Sequence, residues 1–141
     1  MSKQSTYDVF ISYSTLDKQV ADAVKQFLQS KGIRCWKAPD DIDPGRQWPE
    51  QIANAIDQCC AMVLVWSISS MESREVAKEL TLAMSSGLTV IPLRLENIQP
   101  EGSFKYHLSG THWLDTFDRP LEQSLADLAK QVLANIQAAK N

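Results

Sequence analysis

Apolar positions along this chain fall into two patterns that take turns. Short, mostly apolar runs lie at residues 7–12, 33–36, 61–66 and 88–94, with a briefer one at 111–114; that at 61–66 is apolar throughout. Runs of this length, bounded by turn-forming residues, predict buried strands. Between them, apolar residues recur every three or four positions. Leu16, Val20, Ala23, Val24, Phe27 and Leu28 form one such stripe, and Gly32 is placed to end it as a C-cap. Ile52, Ala55 and Ile56 mark a second helix over 48–58, whose Pro49 is tolerated in the first turn. Val76, Leu80, Ala83 and Met84 mark a third, capped by Ser70 or Ser73 and closed by Gly87. Leu121, Leu125, Leu128, Val132 and Ile136 trace a last amphipathic helix.

Strand and helix therefore alternate, which predicts an α/β fold with a parallel sheet and helices on both faces. Five strands suggest a flavodoxin-like five-stranded parallel sheet of order 2-1-3-4-5. In such a sheet the ligand crevice opens beyond the carboxyl ends of strands 1 and 3. Those ends carry residues 12–17, with Ser14 or Thr15 as N-cap and Asp17 in the first helical turn, and residues 67–73. Residues 37–47 hold Pro39, Asp40, Asp41, Asp43, Pro44 and Gly45 and read as a loop, long enough to favour a functional role. Residues 95–109 read as mixed and turn-rich. No repeat or internal linker divides the chain, so one domain spanning 1–141, with its core at about 7–138, is expected. It is either cut from a longer sensor–effector protein or a small effector fed by a separate sensor.

The 141 residues are 44% hydrophobic and 22% charged, with a net charge of −3 and a pI near 5.3. No basic block stands out, so nucleic acid is not an expected partner. No apolar run approaches the roughly 18 residues of a membrane span, and the start of the chain lacks an apolar signal region. Cys35, Cys59 and Cys60 suit reduced thiols in a cytoplasmic protein better than a disulfide framework. His107 and His112 lack metal-ligand spacing with them, so no metal is expected. Glycine-rich phosphate-binding motifs and a nucleophile elbow are missing too.

The chemistry that remains centres on acids. Glu72, Glu75 and Glu79 recur at spacings of three and four and share a stripe. Glu79 falls beside Leu80 at the edge of the buried face, where a carboxylate is partly desolvated and still faces the crevice. The plain alternative is a solvated acidic helix face.

Tyr7-Asp8-Val9-Phe10-Ile11-Ser12-Tyr13 resembles the first box of the Toll/interleukin-1 receptor (TIR) domains. Asp41-Ile42-Asp43-Pro44-Gly45 is similar to the second box, and His112-Trp113 sits where the third usually has Phe-Trp. The resemblance covers nearly the whole chain. Pro92-Leu93-Arg94-Leu95 and the short third box look bacterial. Many bacterial and plant members cleave NAD⁺ through a glutamate in the helix after the third strand. Val76-Ala77-Lys78-Glu79-Leu80-Thr81-Leu82-Ala83 matches that context, so the resemblance implies that Glu79 is catalytic. Glu75 stands where the family pattern has Trp, and Asp40 where signalling adaptors often have Arg.

Ser12, Tyr13, Ser14 and Thr15 offer hydroxyls and N–H groups at a helix N-terminus, which suit a substrate phosphate. Trp36 and Trp48 flank the 44–45 turn as candidate aromatic walls, although Trp36 reads more readily as core at the end of the second strand. The resemblance places Trp48 beside the nicotinamide, and Glu75 is a further candidate contact. Asp41, Pro44 and Gly45 fall in an assembly loop through which TIR domains contact one another. The expected function is an NAD⁺ glycohydrolase of antiphage defence, switched on by self-association into open filaments. It would release nicotinamide together with ADP-ribose or a cyclic isomer. NAD⁺ would be the substrate, with no cofactor. The alternative is a non-catalytic TIR interaction and signalling module.

Overall fold

A computed structural model describes residues 6–39, 41 and 48–140. Five parallel strands form one sheet in the order β2-β1-β3-β4-β5, as the alternating pattern predicts. The strands are β1 (Val9–Ser12), β2 (Cys35–Trp36), β3 (Ala61–Trp66), β4 (Thr89–Arg94) and β5 (Leu114–Asp115). The helices are α1 (Lys18–Ser30), α2 (Trp48–Gln58), α3 (Ile68–Met71), α4 (Arg74–Ser85), α5 (Ser103–Leu108) and α6 (Leu121–Lys140). A 3₁₀ turn, Thr15–Asp17, leads into α1.

Every residue of β1 and β3 is buried, because these central strands are covered on both faces. Side chains alternate along a strand, and the alternation sorts the core into two layers. Val9 and Ile11 of β1 join Ala21, Val24 and Leu28 of α1 and Leu125, Leu128 and Val132 of α6. Phe10, between them, joins Ala55 and Ile56 of α2 and Val76, Leu80 and Ala83 of α4. The register aligns Ser12 with Leu64, so β3 runs two residues past the end of β1. Gly32 and Gly87 follow α1 and α4 with φ of 80° and 78°, the left-handed conformation that ends a helix.

Three sequence expectations need correction. Ile68–Met71 is a short helix, which Ser67 precedes as N-cap in a reciprocal capping box with Ser70. Glu72 consequently lies at the C-cap of α3, outside α4, and does not share the helical stripe of Glu75 and Glu79. Residues 103–108 are helical because Phe104 and Leu108, one turn apart, both bury against the α4 side. The fifth strand lies later than expected, at Leu114–Asp115, where it pairs with Leu93 and Arg94.

Candidate active site

Ser12 ends β1 with its side chain directed, like that of Phe10, toward the layer of α2 and α4. Across the gap, Ser73 caps α4 by accepting a hydrogen bond from the Val76 N–H. Val76, Leu80 and Ala83 then fix the helix against the sheet with their side chains fully buried. That rotation brings Glu79 to the flank nearest β1, where it is only 9% exposed. The Ser12 hydroxyl donates to Glu79 Oε1 at 2.7 Å.

Burial pushes the Glu79 carboxyl up from an ordinary 4.5 to about 7. The Ser12 hydrogen bond opposes the rise, and the negative charge of Glu75 adds to it. No described cation forms an ion pair with Glu79. Near neutral pH the group is thus poised between its two forms. It can exchange a proton, or present a negative charge to a cation entering its low-dielectric surroundings.

The structure brings some predicted site residues together and separates others. Ser12 and Glu79 are in direct contact. Glu75, one turn earlier, is largely exposed and lies 3.6 Å from Lys78. Trp48 begins α2 with about half its surface exposed. Thr15 is exposed at the 3₁₀ turn. Ser14 is buried, and its hydroxyl accepts from the Leu16 N–H at 3.4 Å, so it caps the turn and is not presented to a ligand.

Tyr13 is a correction: alternation sends it to the opposite face, where its hydroxyl donates to the Ala38 carbonyl. Of the two readings of Trp36, substrate wall and core, the structure has the core. Trp36 is 4% exposed and stacks on Phe10 at 5.0 Å between ring centroids. Asp41 accepts from the Lys37 N–H at 2.8 Å and pairs with Lys25 at 2.8 Å. Pro44 and Gly45 lie outside the described residues. A cavity lined by Tyr7, Trp36, Asp41 and Gln51 sits toward the other end of β1, away from Ser12.

Two polar groups were missed from sequence. Lys37 is fully buried on the α1 side, with its ammonium 2.9 Å from Asp22 and 3.3 Å from the Tyr13 hydroxyl. Nothing in the sequence distinguishes this lysine from the solvated ones. Ser67 donates a hydrogen bond to Asp17 and so ties the ends of β1 and β3 together. The signal for that pair was present, since both residues fall on the two strand ends that define the crevice. Among the described residues, no group of three or more His, Cys, Asp or Glu could hold a metal ion, and no helix is long and apolar enough to cross a membrane.

A doubly wound parallel sheet with a buried carboxylate at its topological switch point defines a crevice-binding α/β domain. The TIR-domain family model matches residues 9–132, and the chain belongs to that family. Solved structures agree on the fold. The TIR domain of the Toll-related receptor TRR-2 from Hydra magnipapillata is 24% identical with a TM-score of 0.77, over 90% of this chain and 98% of that one. The TIR domains of the activated Roq1 resistosome, which recognises the pathogen effector XopQ, are 17% identical with a TM-score of 0.69, over 93% and 99%. The CMP N-glycosidase BcmB of Clostridium botulinum is 18% identical with a TM-score of 0.62, over 86% and 97%. A search of curated proteins found no match.

Proposed function

We propose that this TIR domain is an NAD⁺ glycohydrolase in which Glu79 carries the reaction. The observation that carries the reading is a carboxylate buried at the switch-point crevice with one hydroxyl partner and no described counter-cation. In NAD⁺ the nicotinamide ring is cationic. As the bond from ribose C1′ to the ring nitrogen breaks, its electron pair neutralises the ring and positive charge grows on the ribose. An ionised Glu79 stabilises that charge and can hydrogen-bond the ribose hydroxyls. Ser12 fixes the direction of the carboxylate. Water adds at C1′ and loses a proton, giving ADP-ribose, or a nucleophile within the same molecule adds there and gives a cyclic isomer. The chemistry needs no metal or redox cofactor.

The TIR fold also occurs in a CMP N-glycosidase, a protein named for cleaving a bond of this class. Glu75 stands in place of an aromatic residue and is exposed beside Lys78. That leaves less surface for stacking the folded dinucleotide, so hydrolysis should compete well with cyclisation. The same departure favours a second reading, in which the domain signals by TIR–TIR contact alone. Under either reading the chain self-associates, and a linked or separate sensor supplies the trigger in antiphage defence. Weak self-affinity keeps the competent state rare, and activity follows that fraction.

Incubation with NAD⁺ at rising protein concentration tests the proposal. Free nicotinamide should appear, and specific activity should climb with concentration. Chromatography of the products separates ADP-ribose from a cyclic isomer. No nicotinamide at any concentration at which the protein assembles would leave the signalling reading in its place.

A further inference from the structure

The two lips of the crevice carry different groups. Glu79 lies on the α4 side, while Asp17 lies on the α1 side at the end of the 3₁₀ turn. Asp17 is held from below. Its Oδ2 accepts from the buried Ser67 hydroxyl, Ser67 in turn accepts from the Ser70 N–H at 3.2 Å, and the Ser70 hydroxyl donates to the Val65 carbonyl of β3. The Asp17 N–H is also used, donating to the Ser14 carbonyl at 2.8 Å. The second carboxylate oxygen, Oδ1, has no partner among the described residues. The residues beside this pair, Leu16 and Ile68, are 82% and 42% exposed. The Asp17–Ser67 bond thus joins two chain segments that each carry an exposed apolar residue next to the bonded one, and it holds a carboxylate with one oxygen left over.

We infer that Asp17 binds the ribose diol at the adenosine end of the dinucleotide and selects NAD⁺ over NADP⁺. A carboxylate oxygen accepts from vicinal hydroxyls, and acidic residues near switch-point crevices perform this role toward a ribose 2′-hydroxyl in other dinucleotide folds. A 2′-phosphate at the same place would meet like charge and offer no proton. Leu16 and Ile68 supply apolar surface for the attached base. The span is compatible, because Asp17 lies five positions after Ser12, at most about 18 Å of chain. That is within reach of an extended dinucleotide whose nicotinamide ribose sits at Glu79. The inference rests on the proposed reaction for its choice of substrate, but its test does not need turnover.

The test measures binding of NAD⁺ and NADP⁺ by calorimetry in the Glu79→Gln background, at a concentration that supports assembly. NAD⁺ should bind at least about tenfold more tightly than NADP⁺, the scale of one charge-assisted hydrogen bond. Asp17→Asn keeps an acceptor for Ser67 but removes the charge. It should weaken NAD⁺ about tenfold and bring the two affinities close together. Ser67→Ala keeps the charge and removes its support, so a smaller loss with preference retained is expected. Equal affinities before mutation, or a preference unmoved by Asp17→Asn, would overturn the inference; should that variant not fold, the preference before mutation and in Ser67→Ala decides. If NAD⁺ binds with this preference but the protein with Glu79 intact releases no nicotinamide, the reaction fails and the Asp17 assignment stands.

Discussion

Glu79 and Lys37 are both charged residues taken out of water, on opposite faces of one sheet, and they are treated in opposite ways. Lys37 is completely buried, yet it has an anion at 2.9 Å, a phenol at 3.3 Å and an aromatic ring 5.0 Å beneath its ammonium. Asp22, held below the ordinary carboxylate range by Lys18 and then by Lys37, completes the pair. Glu79 has one hydroxyl, and the nearby charge that acts on it is the like charge of Glu75. Burial alone therefore does not mark a functional group. A buried charge with its partner in place holds the fold, as Lys37, just past β2, is tied to Asp22 of α1. A buried charge without a partner raises the energy of its own ionised form, and the cation of a substrate would relieve that cost.

The comparison breaks most visibly if the two residues are exchanged in role. Glu79→Gln keeps the Ser12 hydrogen bond and removes the charge. Nicotinamide release should fall by about 10² or more, the scale of losing one electrostatic stabiliser, and steady-state assay of folded protein checks it. Lys37→Ala should do the reverse. It removes a buried ion pair and leaves a void, costing roughly 3 kcal/mol of stability, read by urea denaturation. The pH dependence of whatever activity survives should stay unmoved.

Stability should respond to Glu79 in the opposite direction. Its carboxyl holds its proton up to about 7 in the folded chain, against 4.5 when exposed. The folded state therefore binds more protons than the unfolded state between those values. Stability from this group is full below pH 4.5 and declines as pH rises to about 7. The loss amounts to about 3 kcal/mol at 1.36 kcal/mol per pH unit. Glu79→Gln should recover most of it at pH 8 and little of it at pH 4, which thermal melts at the two pH values would show. Loss of activity with gain of stability is what a functional residue gives and a structural one does not. The smallest effect is expected from Glu75→Gln. Removing that exposed like charge, the smallest of the causes acting on Glu79, should lower its midpoint slightly, visible in a pH–rate profile.

Sequence pattern disclosed the main strands, four of the helices and the neighbourhood of Glu79 because these follow from periodicity, and the sheet order followed from reading five alternating strands as flavodoxin-like. Apolar runs mark β1 and β3, and Val76, Leu80 and Ala83 set the rotation of α4. What it misplaced depends on which face a side chain takes after a strand ends. Ser12 and Tyr13 are adjacent in sequence and both carry hydroxyls, yet one reaches Glu79 and the other the Ala38 carbonyl behind the sheet. Trp36 allowed two readings, substrate wall before the loop or core at the strand end, and its ring alternates inward onto Phe10. The Asp22–Lys37 and Asp17–Ser67 pairs join residues 15 and 50 positions apart, and local spacing carries no information at that range.

The account rests on Glu79 acting in its ionised form from an unpaired, buried position, and the pH dependence of NAD⁺ cleavage tests that most directly. Nicotinamide release should be followed from about pH 5 to about pH 9 at fixed protein assembly. With Glu79 intact, kcat/KM should rise with pH through a midpoint near 7, the value for the free carboxyl. The kcat midpoint should lie lower, because the bound pyridinium favours the carboxylate. Glu79→Gln should abolish the rise along with the activity. A profile flat across this range, or one whose midpoint near 7 survives in folded Glu79→Gln, would contradict the account.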